Sequence, residues 1–310
     1  MSESLAAARP APRAEVQGRL AALDTRRKLQ LALGVIWVLD GILQYQPWMF
    51  TKGFPDMLAA SAQGNPGVVA HPITWSAGLI DHHLVVLNAI FATIQLALGL
   101  GIAWRPTLKL ALAGSIVWSL AVWWLGEGFG GILAGTASPV NGAPGAVILY
   151  AVLAVLLWPA DRDPAASYVA ARTLGRRPAQ AIWLVVWGSL AAFAVLPATR
   201  AAGAISGMIS DASGGAPAWL AWMGNHAGSA LEHQGLAPAI VLAVALALIA
   251  VAVFLPARFL RAAVIAALIV SLALWLAQGL GGIFTGMATD PESGPLLALI
   301  ALTYFSKEEA

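Results

Sequence analysis

Two short stretches set imidazole beside carboxylate: Asp81-His82-His83, and Glu232-His233-Gln234 at an offset of 151 residues. Imidazole with carboxylate is the ligand set of Zn, Cu(II) or non-haem Fe, and two symmetry-related histidines can clamp a haem iron axially. In the haem reading the ligands are His82 and His233. Asp81 and Glu232 would not support the same ring, because adjacent helical residues point about 100° apart. In the metal reading His82 or His83 joins Glu127 and His71. The chain has no cysteine, so any metal must be held by nitrogen, by oxygen or by methionine sulfur. Candidate cofactors are therefore haem, copper or another divalent metal. The alternative is a set of interfacial histidines hydrogen-bonded to water, headgroups or neighbouring acids.

A second group of polar residues lies on otherwise apolar segments. Asp40, Asn88, Gln95 and Glu127 correspond, at offsets of 150 or 151, to Leu190, Ala239, Leu246 and Gln278. Polar chemistry is thus concentrated in the first half. Asp40 falls near the middle of its apolar segment, where an ionised carboxylate costs several kcal/mol in a bilayer unless it is paired, hydrated or protonated. It is a candidate proton-carrying or substrate-binding group, with Asp81, Asn88, Gln95, Glu232 and Gln278 as further candidates. The bland alternative is a protonated Asp40 hydrogen-bonded to a neighbouring helix, with Gln44 as partner. Gly128-Phe-Gly130 is no dinucleotide fingerprint, since neither a preceding strand nor a βαβ unit accompanies it.

The elements that must position these residues are helices. The chain is 59% hydrophobic and 10% charged, against about 25% charged in an average soluble domain, and its mean hydropathy is +0.78. Apolar runs near the roughly 20 residues needed to cross a bilayer lie at 28–49, 84–104, 107–125, 144–159, 181–197, 236–255, 259–277 and 294–305. The expected fold class is all-α, a polytopic membrane protein of about eight transmembrane helices. Of the 17 Lys and Arg residues, only Lys52 and Arg200 fall on the outer side of this layout. Positive-inside logic places both termini in the cytoplasm. The basic residues flank apolar segments and form no stripe, which argues against a nucleic-acid partner. The first apolar segment ends in Gln-Pro-Trp-Met-Phe, unlike a signal-peptide cleavage site. The Ala-rich, Trp-rich composition fits a bacterial cytoplasmic membrane.

A self-match organises the chain. At an offset of 151, Met57 meets Met208, Gly64 meets Gly215, Pro66 meets Pro217 and His82 meets His233; Trp124–Ala137 falls on Trp275–Ala288 with eight identities in fourteen positions. The layout is a cytoplasmic tail (1–25), a first four-helix repeat (26–160), a cytoplasmic linker (161–180), a second four-helix repeat (181–306) and a tail (307–310). An even number of spans per copy gives both copies the same orientation. Pro55–Gln63 and Pro72–His82 read as short helices near the interface.

Each copy resembles the four-helix DoxX-type unit of bacterial membranes: in its span count, its long outer segment after the first span, and a second span of the form Gln95-Leu-Ala-Leu-Gly-Leu-Gly101 followed by an Arg105-Pro106 turn. That resemblance implies a setting of membrane redox chemistry, including quinone-linked thiosulfate oxidation, and transfers no individual residue. The expectation is a membrane protein with a histidine and carboxylate site on its outer face, a redox-associated subunit binding metal, haem or quinone beside a membrane redox partner. The alternatives are a secondary transporter or channel using Asp40, and an assembly partner without chemistry of its own.

Overall fold

The computed structural model describes the backbone of residues 13–306 and side chains from residue 25 onward. The expected tails at 1–12 and 307–310 lie outside the described residues. The rest of the expected N-terminal tail belongs to the first helix, α1 (Arg13–Gln44). Strong helix formers such as Ala, Leu and Arg extend that helix past the apolar segment.

Every regular element among the described residues is helical. After α1 come α2 (Gly53–Ala60) and α3 (Gly67–His82), then α4 (Leu84–Ala103), α5 (Leu108–Leu125) and α6 (Ala146–Leu156). A short α7 (Val169–Leu174) lies within the expected linker and leads to α8 (Arg176–Ala194). The order then recurs, with α9 (Pro197–Arg200) where the first half has a 3₁₀ turn (Pro47–Phe50), followed by α10 (Ala204–Ala212), α11 (Ala218–Leu231), α12 (Leu236–Val251), α13 (Ala257–Ala277) and α14 (Ser293–Leu302). The breaks follow local chemistry. Proline cannot donate to the preceding helical turn, and Pro66, Pro106, Pro217 and Pro256 each stand at or just before a helix start. The Thr107 hydroxyl donates to the Gly101 carbonyl at 2.8 Å, closing the α4–α5 turn.

Four helical stretches are long and apolar enough to cross a membrane: Leu84–Ala103, Arg105–Leu125, Leu236–Phe254 and Ala257–Ala277. That is fewer than the eight expected, for two physical reasons. Charged residues interrupt α1 and α8, among them Asp40 and Arg176-Arg177. Helices α6 and α14 have only 11 and 10 residues, and so rise about 16 and 15 Å against a hydrocarbon core of about 30 Å.

Irregular backbone precedes both short helices. Within it Phe129 (φ 58°) and Gly130 (φ 62°) adopt the left-handed conformation that Leu280 (φ 55°) and Gly281 (φ 68°) also adopt. A Cβ at Gly130 would sit 2.1 Å from the Pro144 carbonyl oxygen, so only glycine fits that passage.

The packing reverses the usual surface pattern. Val85, Val86, Leu100, Leu110, Val117, Val241 and Ile269 point outward and are exposed, whereas Asn88, Ser115, Ser119 and Ser271 are fully buried. Apolar side chains outside and hydroxyls inside suit a helix that faces hydrocarbon. The centre is aromatic: Trp37, Tyr150, Trp183, Trp187 and Tyr304 are buried, and Trp37 and Trp183 donate to Ser115 Oγ (3.0 Å) and the Ile249 carbonyl (2.8 Å). At one end of the bundle Arg26 pairs with Asp161 at 2.6 Å and Arg27 donates to the Ile102 carbonyl at 2.9 Å. This end gathers the linker, and the opposite end carries α2 and α3.

Helices α1 and α4 cross with their backbones in contact. A Cβ on Gly99 would lie 2.5 Å from the Gly34 carbonyl oxygen, whereas one on Gly78 in α3 would meet nothing within 4 Å. Gly99→Ala should therefore destabilise the protein by about 1–3 kcal/mol through overpacking. Gly78→Ala should be neutral or stabilising by up to about 1 kcal/mol from helix propensity. Paired thermal denaturation of the two purified variants checks the contrast.

Candidate functional site

A cavity of about 380 Å³ opens between α1, α2, α3, α4 and α5, toward the end of the bundle that carries α2 and α3. Helix α1 supplies Trp37, Asp40 and Gln44; α4 supplies Phe91 and Gln95; and α5 supplies Trp118. Glu127 enters from the segment after α5, and Asp290 and Glu292 from the segment before α14. Both halves of the chain therefore build one site.

Asp40 is only 2% exposed. Its Oδ2 accepts the Tyr150 hydroxyl proton at 2.5 Å, and its Oδ1 has no partner. The expected Gln44 bond is replaced, because Gln44 Nε2 donates to Asn88 Oδ1 and Asn88 Nδ2 returns a bond to the Gln44 carbonyl at 3.0 Å. That reciprocal pair engages the Asn88 side chain, which does not line the cavity. The Tyr150 ring packs against Trp37 with centroids 4.2 Å apart, which fixes the hydroxyl on the carboxylate. Gln95, 9% exposed, leaves Oε1 without a partner.

Glu127 turns inward. Its Oε1 accepts the Val147 amide at 3.1 Å, and its Oε2 is buried without a partner. A Cβ at Gly145 (φ 106°) would fall 2.1 Å from Glu127 Oε2, so a glycine is what lets the carboxylate lie there. Asp290 caps its own turn, accepting the Glu292 amide at 2.7 Å and the Thr289 hydroxyl at 2.9 Å. Glu292 has φ 64°, a conformation that costs a non-glycine residue energy and is common at ligand sites. These three acids lie between helices, outside the candidate spans. Burial, then the Asp290 charge, pushes Glu127 well above the usual carboxylate range. The same two causes push Glu292 up to about 8, and burial raises Asp290.

A second cavity of about 310 Å³, lined by Asn65, Thr136 and Asn141 among others, shares Ser61, Glu127 and Glu292 with the first. Those three residues stand between this second cavity and the Asp40 cavity. Leu33, Ile102, Leu112 and Leu153 are fully buried and belong to one apolar cluster.

The second half lacks these features. Leu190, Ala239 and Leu246 are fully buried apolar side chains, and the Gln278 amide donates to the Pro139 carbonyl at 3.1 Å and to Ser293 Oγ at 3.0 Å.

The histidines are not part of the cavity. His82, the last residue of α3, is exposed with Nδ1 2.7 Å from the Gly78 carbonyl. His83 is exposed at the α3–α4 joint, and His71, His226 and His233 are exposed as well. Asp81 lies 3.9 Å from Lys52, and Glu232 is exposed. Among the described residues no group of three His, Asp or Glu side chains is placed to hold a metal ion. The set His82, His83, His71 and Glu127 is thus not gathered into a metal centre.

Tyr150, Asp290 and Glu292 escaped the reading of the sequence as site residues. For Tyr150 a signal existed: its counterpart at the 151 offset is Ala301, the same loss of polarity seen between Asp40 and Leu190. Comparison with protein-family models, curated proteins and solved structures finds no match to the chain.

The raised acids link the site to stability. Folded Glu292 keeps its proton until about pH 8, whereas the unfolded chain loses it near 4.5. The folded state therefore binds more protons between these values, and stability falls as pH rises through that window. Thermal midpoints of the purified protein should decline from pH 5 to pH 8.5, and Glu292→Gln should flatten the decline. Equal slopes in wild type and variant would show that Glu292 titrates normally.

Proposed function

We propose that this chain is a multi-pass membrane protein of two tandem four-helix copies, and that it works as a proton-coupled secondary transporter. Its site is the first-half cavity, reached from the outer side, with Asp40 as the proton- or substrate-carrying group. One observation carries the reading: Asp40 Oδ1, Gln95 Oε1 and Glu127 Oε2 are three buried acceptors without partners, all lining one cavity. A buried polar atom left unpaired costs about 1–3 kcal/mol. Three around one space mark a place where a ligand supplies the missing donors.

Several features support the setting. The four long apolar helices and their exposed aliphatic faces fit a bilayer. The matched left-handed pairs at Phe129-Gly130 and Leu280-Gly281 agree with tandem copies. Half-length helices joined to irregular backbone at a central cavity are the build of secondary transporters, in which non-helical chain is tolerated where it lines a cavity. The second cavity offers entry as an outer vestibule, and toward the opposite end Leu33, Ile102, Leu112 and Leu153 are fully buried. The arrangement is that of an outward-open state.

In the working cycle a solute from the vestibule passes Glu127 and Glu292 and donates to Asp40 Oδ1. A carboxyl proton leaves as the solute's donor takes its place. That proton passes to the vestibule, and on the opposite side uptake of another proton as the solute is released resets the carboxyl group. A second reading, a quinol site in the redox setting that the DoxX-type resemblance implies, is favoured by the Trp37, Phe91 and Trp118 walls and by the three unpaired oxygens, which suit hydroxyl groups.

Proteoliposomes with an imposed pH gradient and an entrapped pH dye distinguish the two. A solute panel of amines, alcohols, sugars and carboxylates should contain at least one member that drives proton movement, and Asp40→Asn should lower the rate at least about tenfold, the loss of one charge-assisted bond. A soluble quinol that stabilises the protein in thermal denaturation while no panel member moves protons would favour the second reading. Wild-type and Asp40→Asn vesicles that behave alike with every solute would contradict the transport reading.

A further inference from the structure

Resting on the reading of the Asp40 cavity as a solute site, we infer that its ligand is a small organic ammonium ion, with N–H donors at one end and an apolar body at the other. The charge of the wall is the first reason. Asp40, Glu127, Asp290 and Glu292 all line the cavity, and no Lys or Arg does. Four carboxyl groups without a base can each give up a proton to pair with a cation and offer nothing to neutralise an anion, and low-dielectric walls strengthen the resulting carboxylate–ammonium pair.

The open valences are the second reason. The three unpartnered atoms are acceptors, and Asp40 and Gln95 are each more than nine-tenths buried. An ammonium group offers two or three donors and so can satisfy more than one of them at once. Chelated metal is disfavoured by the spread of the acids, since among the described residues no three are close enough to hold an ion. A space of about 380 Å³ is many times what one water needs and fits a multi-atom ligand. Much of the remaining wall is apolar, with Trp37, Phe91 and Trp118 offering aromatic surface to the apolar body and to the cation. Two-ended recognition of this kind is how a mostly apolar pocket fixes orientation with few polar groups.

Protons balance in a simple exchange. A carboxylic acid of the wall and an incoming alkylammonium ion become a carboxylate–ammonium pair, and one proton passes to the vestibule. Binding should therefore release about one proton per ligand and tighten as pH rises across the range in which the wall acids hold their protons.

The test uses the full-length protein in detergent micelles and calorimetric titration in two buffers of different ionisation enthalpy. The probes are butylamine, benzylamine and phenethylamine, each beside its isosteric alcohol, with benzoate as the anion. The expected result is binding of at least one amine, about tenfold or more tighter than its alcohol, with proton release and no benzoate binding; a tenfold gap is the worth of one charge-assisted hydrogen bond. Asp40→Asn and Glu127→Gln should each weaken the amine about tenfold or more, while Asp56→Asn on the exposed outer surface should leave it unchanged. If alcohols bind as tightly as amines and both are lost in Asp40→Asn, the cavity is a solute site and the ammonium inference fails. If no probe binds better to wild type than to Asp40→Asn, the inference fails; the transport reading then falls only if the proteoliposome panel is also silent.

Discussion

The structure depends on one costly arrangement, a carboxyl group held at the centre of an apolar helix bundle with a single hydrogen bond. Asp40 is fastened by Tyr150 at 2.5 Å and left open at Oδ1. Removing a carboxylate from water costs several kcal/mol unless it is paired or protonated. The surroundings meet that cost only in part: Trp37 clamps the tyrosine, and Ser115 anchors Trp37. Had the fold needed only stability, Asp40 could carry a leucine, as the second half does at Leu190. Buried polar groups with unmet valences are kept where a ligand or a proton completes them.

The two halves make the argument by contrast. They share the order of elements and the left-handed turn before the short helix. In the second half Leu190, Ala239 and Leu246 are buried apolar side chains, and Gln278 is satisfied by Pro139 and Ser293. In the first, Glu127 keeps one oxygen free beside Gly145. The second half nevertheless contributes Asp290 and Glu292 to the first half's cavity. A movement of one half against the other would therefore change the electrostatics at Asp40, which is the coupling that the proposed transport cycle calls for.

Much of this was legible in the sequence. Composition and apolar runs located most helices to within a few residues, since hydrocarbon-facing helices leave a strong linear signal. Comparing the halves singled out Asp40, Asn88, Gln95 and Glu127, three of which line the cavity. Asn88 turned out to be closed by Gln44, a contact between helices that no linear pattern encodes. Asp290 and Glu292 gave no signal as site residues, because nothing in the sequence tells which half a returning segment folds against. The histidines drew attention by residue type and by their shared register. Whether a side chain at a helix end faces the core or the solvent depends on helix rotation, and all five face outward. The length of α6 and α14 was likewise hidden, since apolar irregular backbone and apolar helix have the same composition.

The central claim is that the three unpartnered acceptors receive a ligand. The most direct measurement is an electron cryomicroscopy map of the wild-type protein in lipid nanodiscs, at a resolution that shows bound small molecules. The account predicts non-protein density in the cavity, within hydrogen-bonding distance of Asp40 Oδ1 and of Gln95 Oε1 or Glu127 Oε2. A collapsed cavity, with each of these atoms paired to a protein group, would contradict it.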